Sequence, residues 1–106
     1  MCGVVGLLFE RENSRIGEFA GRLLKSLEYR GYDSTGALFQ NSSKKTVLKK
    51  DVGAPSKLVK KLGIDKESGK IFCGQVRWAT FGVVNQANCQ PHEVNCKMHF
   101  SMRVDR

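Results

Sequence analysis

Gly3-Val4-Val5-Gly6-Leu7-Leu8-Phe9, followed by Ile16-Gly17-Glu18-Phe19-Ala20-Gly21-Arg22-Leu23-Leu24-Lys25-Ser26-Leu27, decides the fold class. The first run is short, apolar and bounded by polar residues, which predicts a buried strand. Its glycines permit close backbone approach. In the second run Ile16, Phe19, Ala20, Leu23, Leu24 and Leu27 recur at i, i+3, i+4 and i+7, the spacing of an amphipathic helix, with Asn13 or Ser14 as its N-cap. A strand that turns directly into a one-faced helix needs a sheet on which both can lie.

Downstream, Arg30-Gly31-Tyr32-Asp33-Ser34 is turn-like. Thr35 to Gln40 and Thr46 to Lys50 predict two strands joined by the polar loop Asn41-Ser42-Ser43. Ser56 is placed to cap a short helix carrying Leu58, Val59 and Leu62, with Gly63 ending it. Ile71 to Trp78 predicts a further strand, and a polar loop from Gly82 to Pro91 follows. Met98, Phe100 and Met102 then alternate with His99 and Ser101 at strand spacing. There is no internal repeat and no low-complexity linker. Strand, helix, strands, short helix, strands is an α+β order.

The bulk properties bound the function. At 106 residues, 41% hydrophobic and 26% charged, the chain has the make-up of one folded domain or less, not of a disordered segment. A chain of this size buries roughly 65% of its unfolded surface, enough for one modest core. No run of 18 apolar residues is present, so no membrane-spanning helix is expected. The apolar opening lacks both a preceding basic region and a following small-residue cleavage site, which argues against a signal peptide and for a cytoplasmic protein. Cys2, Cys73, Cys89 and Cys96 are accordingly read as thiols. The net charge of +8 owes much to nine lysines between Lys44 and Lys70. They are interleaved with Val, Leu and Ile, so they read as a solvated face, without a nucleic-acid partner.

Met1-Cys2-Gly3 carries the most chemistry. A methionine before a small residue can be removed, leaving Cys2 with both a thiol and a free α-amine. A free thiol titrates near pH 8.5 and an α-amine near about 7.7 to 8.0. The two are close enough for the amine, directly or through a water, to serve as base for the thiol beside it. One residue then supplies nucleophile and base, and Gly3 is expected to leave room for substrate. The bland alternative is a buried thiol at the start of a strand.

Four blocks favour the chemical reading. Met1-Cys2-Gly3-Val4-Val5-Gly6 resembles the opening of the class II glutamine amidotransferases, which are N-terminal-nucleophile hydrolases. Leu27-Glu28-Tyr29-Arg30-Gly31-Tyr32-Asp33-Ser34-Thr35-Gly36 resembles the block after their first helix, in the tyrosine form found in glucosamine-6-phosphate synthase. Gly74 to Gly82, with Arg77-Trp78-Ala79-Thr80, and Asn88-Cys89-Gln90-Pro91-His92 resemble two later blocks in family order. The resemblance implies an αββα sandwich of which residues 1–106 form the N-terminal portion, without the isomerase module. It implies Cys2 as nucleophile, its amine as base, and Arg30 and Gly3 as support. Arg77 would grip the α-carboxylate of L-glutamine, with Trp78 and Thr80 as pocket wall. No metal or organic cofactor is implied. A planar guanidinium suits a carboxylate because two parallel hydrogen bonds form at once.

The sequence departs from the family at several points. Phe81 stands where a histidine is usual, Gln75-Val76 replaces a histidine-threonine pair, and Cys89-Gln90 replaces an alanine-histidine pair. The family's histidine-asparagine-glycine turn, which supplies the oxyanion hole, has no counterpart in Ser101 to Arg106. The chain is therefore expected to be a truncated, split or frameshifted amidotransferase domain, a poor glutaminase alone, and prone to self-association or in need of the rest of its domain. Two other readings compete. Cys89, His92, Cys96 and His99 have the spacing C-x2-H-x3-C-x2-H and could bind zinc. An inactive glutamine-binding subunit would keep the pocket without the chemistry.

Overall fold

A computed structural model describes residues 2–92. Strand β1 spans Gly3–Asn13, helix α1 Ile16–Ser26, β2 Ser34–Gln40, β3 Thr46–Val52, α2 Pro55–Lys61 and β4 Gly69–Arg77. Single 3₁₀ turns lie at Glu28–Arg30, Ile64–Lys66 and Gln86–Asn88. The four strands form one sheet in the order β1-β4-β2-β3, with every neighbouring pair antiparallel. Both helices pack on one face, so the described residues supply one sheet and one helical layer of an α+β fold.

Register sorts the side chains. Val5 lies opposite Gly74 and Leu7 opposite Phe72, while Ala37 lies opposite Gly74 and Phe39 opposite Phe72. These residues share the helix face because side chains alternate along a strand. There they meet Ile16, Ala20 and Leu24 of α1, Val59 of α2, and Ile64. The Phe39 and Phe72 rings pack with centroids 5.2 Å apart at the centre of this core. Truncating either ring to alanine removes about 3–5 kcal/mol by the usual cost of emptying a core aromatic.

The other face carries Val4, Gly6 and Leu8 of β1, Cys73, Gln75 and Arg77 of β4, and Ser34, Gly36 and Leu38 of β2. The segment Cys89-Gln90-Pro91 crosses it above Gly36. A Cβ at Gly36 would collide with the Gln90 carbonyl, so only glycine admits the loop. The Lys50 ammonium clamps that segment by donating to the carbonyls of Cys89 at 2.9 Å and Pro91 at 3.1 Å.

Several boundaries differ from the sequence expectation. β1 continues through Glu10-Arg11-Glu12 to Asn13, which pairs with Gly69 after a shift in register. α1 ends at Ser26, and Leu27 is its C-cap. Neither Asn13 nor Ser14 caps α1: the N-cap position is Arg15, without a side-chain cap bond, and the Asn13 side chain accepts the N–H of Arg15 itself at 2.8 Å. Ser56 does not cap α2, because the cap position is two residues earlier at Ala54 and the helix starts at Pro55. Gly63 closes the helical segment with φ 67°, in the left-handed region. Trp78 falls just beyond β4. The strand expected at Met98 to Met102 lies outside the described residues. No helix among the described residues is long and apolar enough to cross a membrane.

Candidate functional site

Cys2 sits immediately before β1, whose first residue Gly3 pairs with Val76. The nucleophile candidate is thereby brought level with the end of β4, where Arg77 and Trp78 lie. Its thiol is half-buried and donates to the Trp78 carbonyl across 3.9 Å, a long sulfur contact. Arg30, from the 3₁₀ turn after α1, donates its Nε to the Cys2 carbonyl at 3.3 Å. Residues 76 positions apart in the chain thus converge through strand register, and the turn after α1 is folded back onto the N-terminus.

The segment Gly31-Tyr32-Asp33 braces the same place. Gly31 lies flat on the Arg77–Trp78 peptide: a Cβ there would stand 2.6 Å from the Arg77 carbonyl carbon and 2.8 Å from the Trp78 nitrogen. The Asp33 N–H donates to the Arg77 carbonyl at 3.0 Å, and the Asp33 carboxylate accepts the Ala79 N–H at 2.8 Å. The Tyr32 and Trp78 rings approach to 5.8 Å between centroids, both partly open to solvent.

Arg77 is 2% exposed, and its guanidinium donates to the carbonyls of Phe81 and Val83. It therefore ties the 81–83 loop to the sheet. With Phe81, Gly82, Asn88, Gln90 and His92 it lines a cleft of about 250 Å³. Thr80 is exposed, and neither it nor Cys2 nor Trp78 lines that cleft. Gly3 is buried, and a Cβ there would meet Val76 and Leu27 on the helix face. The space it leaves is therefore taken up by the core, and the alternation of side chains along the strand sends it away from the thiol.

The two other described thiols have different surroundings. Burial pushes the Cys73 thiol up from its ordinary range. Burial also pushes the Cys89 thiol up, opposed by the Ser34 hydroxyl and the Lys50 charge. Cys89 is fully buried and donates to the Asn85 carbonyl at 3.2 Å, as an inert thiol does. Among the described residues no three His, Cys, Asp or Glu side chains come together as a metal site. Cys96 and His99 of the alternative zinc set lie outside the described residues. Gln75 is 1% exposed, and both its amide atoms lack a hydrogen-bond partner.

Sequence reasoning missed Asp33 and Lys50 as organisers. Asp33 was legible only as a turn residue. Lys50 carries no local signal, because its partners lie about forty residues away.

The described fold is shared with part of a solved structure. It superposes on the glutamine phosphoribosylpyrophosphate amidotransferase of B. subtilis, complexed with ADP and GMP, with a TM-score of 0.67 at 24% identity, covering 90% of this chain and 19% of that one. In sequence it is a homologue of the glutamine–fructose-6-phosphate aminotransferases (isomerizing). It is 40% identical to that of Pyrobaculum aerophilum over 98 residues, 92% of this chain. It is 40% identical to that of Aeropyrum pernix over 92 residues and 38% identical to that of Sulfolobus acidocaldarius over 96. The chain spans only 15–16% of the length of these curated relatives. No family model matches it.

Proposed function

We propose that this chain is the nucleophile-bearing part of a glutamine amidotransferase domain, in which Cys2 attacks the side-chain amide of L-glutamine once Met1 is removed. The observation that carries this reading is the convergence of Arg30, Trp78 and the Cys2 thiol at the start of β1. An ordinary core cysteine needs no arginine on its own carbonyl.

The reaction follows from the groups present. The α-amine of Cys2 takes the thiol proton, and sulfur attacks the carboxamide carbon. The resulting ammonium returns the proton to the departing ammonia. Water then hydrolyses the γ-glutamyl thioester. Arg30 fixes the peptide that carries both reacting groups. Trp78 and Thr80 wall the substrate, and Arg77 receives its α-carboxylate, exchanging bonds now made to the 81–83 loop. In the parent enzyme the ammonia passes to fructose 6-phosphate. The chain self-associates or pairs with the remainder of its domain. The protein works in the cytoplasm, without a nucleic-acid or membrane partner.

The test is alkylation by 6-diazo-5-oxo-L-norleucine, a glutamine-shaped electrophile, followed by intact mass, N-terminal sequencing and peptide mapping. A single adduct on an N-terminal Cys2, absent from Cys2→Ser, is expected. Adducts on Cys73 or Cys89 in preference to Cys2, or a retained Met1 in labelled protein, would overturn the assignment.

A further inference from the structure

The carbonyl of Trp78 that faces the Cys2 thiol and the N–H of Ala79 that faces Asp33 belong to one peptide group. In a trans peptide the C=O and N–H point in opposite directions. A partner that captures the N–H on one side therefore aims the carbonyl at the other. The Asp33 carboxylate holds this N–H at 2.8 Å, and the carbonyl reaches the Cys2 sulfur at 3.9 Å. The backbone N–H of the same aspartate holds the preceding carbonyl, that of Arg77, at 3.0 Å. Trp78 is thus pinned on both sides by one residue, while Gly31 lies flat on the peptide between them. Asp33 is itself anchored, because its own carbonyl accepts the Gly53 N–H at 2.9 Å and the Gly53 carbonyl accepts the Thr35 hydroxyl at 2.9 Å.

We propose that Asp33 is a positioning residue for the nucleophile: its carboxylate, through the Trp78–Ala79 peptide, sets the direction of the Cys2 thiol. A carboxylate acceptor also polarises the peptide, which makes its carbonyl a better acceptor for the S–H on the far side. This inference rests on Cys2 being the nucleophile.

The experiment measures kinact and KI for 6-diazo-5-oxo-L-norleucine at Cys2 in the 106-residue chain and in Asp33→Ala, Asp33→Ser and Asp33→Asn, with circular dichroism of each. Asp33→Ala and Asp33→Ser release the Ala79 N–H, and a drop of about tenfold or more in kinact is expected with KI changed little, as for a misaimed group. Asp33→Asn keeps an oxygen that can accept the N–H, and kinact within about threefold of the parent is expected. If the alanine variant loses the parent spectrum, the serine and asparagine variants decide. Parental kinact in a folded alanine or serine variant, or an asparagine variant as slow as they are, overturns the proposal. Failure of the parent chain itself to label at Cys2 overturns the nucleophile assignment instead, so the two failures are distinguishable.

Discussion

At the scale of single residues, Cys2 is distinguished from the other described thiols by its neighbours. Cys73 and Cys89 are held as neutral thiols, chiefly by burial. That has a consequence for stability. In the unfolded chain a thiol loses its proton near about pH 8.5, whereas in the fold both lose it at higher pH. Between those limits the unfolded chain binds fewer protons, so stability is fully present below about pH 8.5 and falls as pH rises through the folded values. Urea midpoints measured at pH 7.5 and 9.5 should fall for the parent and fall less for the Cys73→Ala/Cys89→Ala double variant. Groups common to both proteins cancel in the comparison. Equal slopes would show that burial of these thiols has no energetic weight.

At the scale of elements, α2 illustrates how a distant residue replaces a local signal. Its N-cap position is Ala54, which has no side-chain acceptor. The acceptor comes instead from Glu28, in the 3₁₀ turn after α1, whose carboxylate takes the Ser56 N–H at 2.9 Å. That bond is the first cause holding the Glu28 carboxyl below its usual range. A carboxylate at a helix N-terminus also meets the favourable end of the helix dipole. Glu28→Ala should therefore destabilise the chain by about 1 kcal/mol, as loss of a cap does. The sign with pH is opposite to that of the thiols. The contribution is present above about pH 4.3 and is lost as pH falls through the depressed folded value. Guanidinium unfolding at pH 7 should separate parent and variant, and at pH 3 the gap should shrink. A gap independent of pH would mean that Glu28 acts by packing alone.

The same element shows what was legible. The apolar spacing of Leu58 and Val59 announced the helix and Gly63 its end, since both are local properties. The start was misplaced by two residues because serine is a common cap and Glu28 lies 28 positions upstream. β1 was read to Phe9 because Glu10-Arg11-Glu12 lacks alternation, yet pairing of Asn13 with Gly69 carries the strand onward. At the site, Arg30 was expected on the Cys2 backbone, and the structure has it there. The use of Arg77 as a loop tie was illegible, because the carbonyls it meets belong to residues with no hydrogen-bonding side chain.

At the scale of the whole molecule, the sheet is unequally covered. The helix face is closed by α1 and α2. On the opposite face the β2 half lies under the 89–91 segment, whereas the β1 half presents Val4 at 47% and Leu8 at 75% exposure. β1 is also an edge strand among the described residues, with hydrogen bonds to β4 on one side only. An apolar face beside an open edge is a template for association, and proteins that keep such edges soluble use lysine or glutamate there. Here the charges of β1 are confined to its far end, at Glu10, Arg11 and Glu12, beyond the apolar stretch. The 106-residue chain should therefore sediment as species larger than 11.8 kDa, with a distribution that shifts upward with concentration. Leu8→Lys places a charge at the most exposed apolar position of β1 and removes no core contact. It should return the chain to the monomer with little change in melting temperature, because the core of Phe39, Phe72 and Leu24 is on the other face. Sedimentation velocity decides it: a concentration-independent monomer for the parent, or undiminished association in Leu8→Lys, would show that this face does not drive assembly.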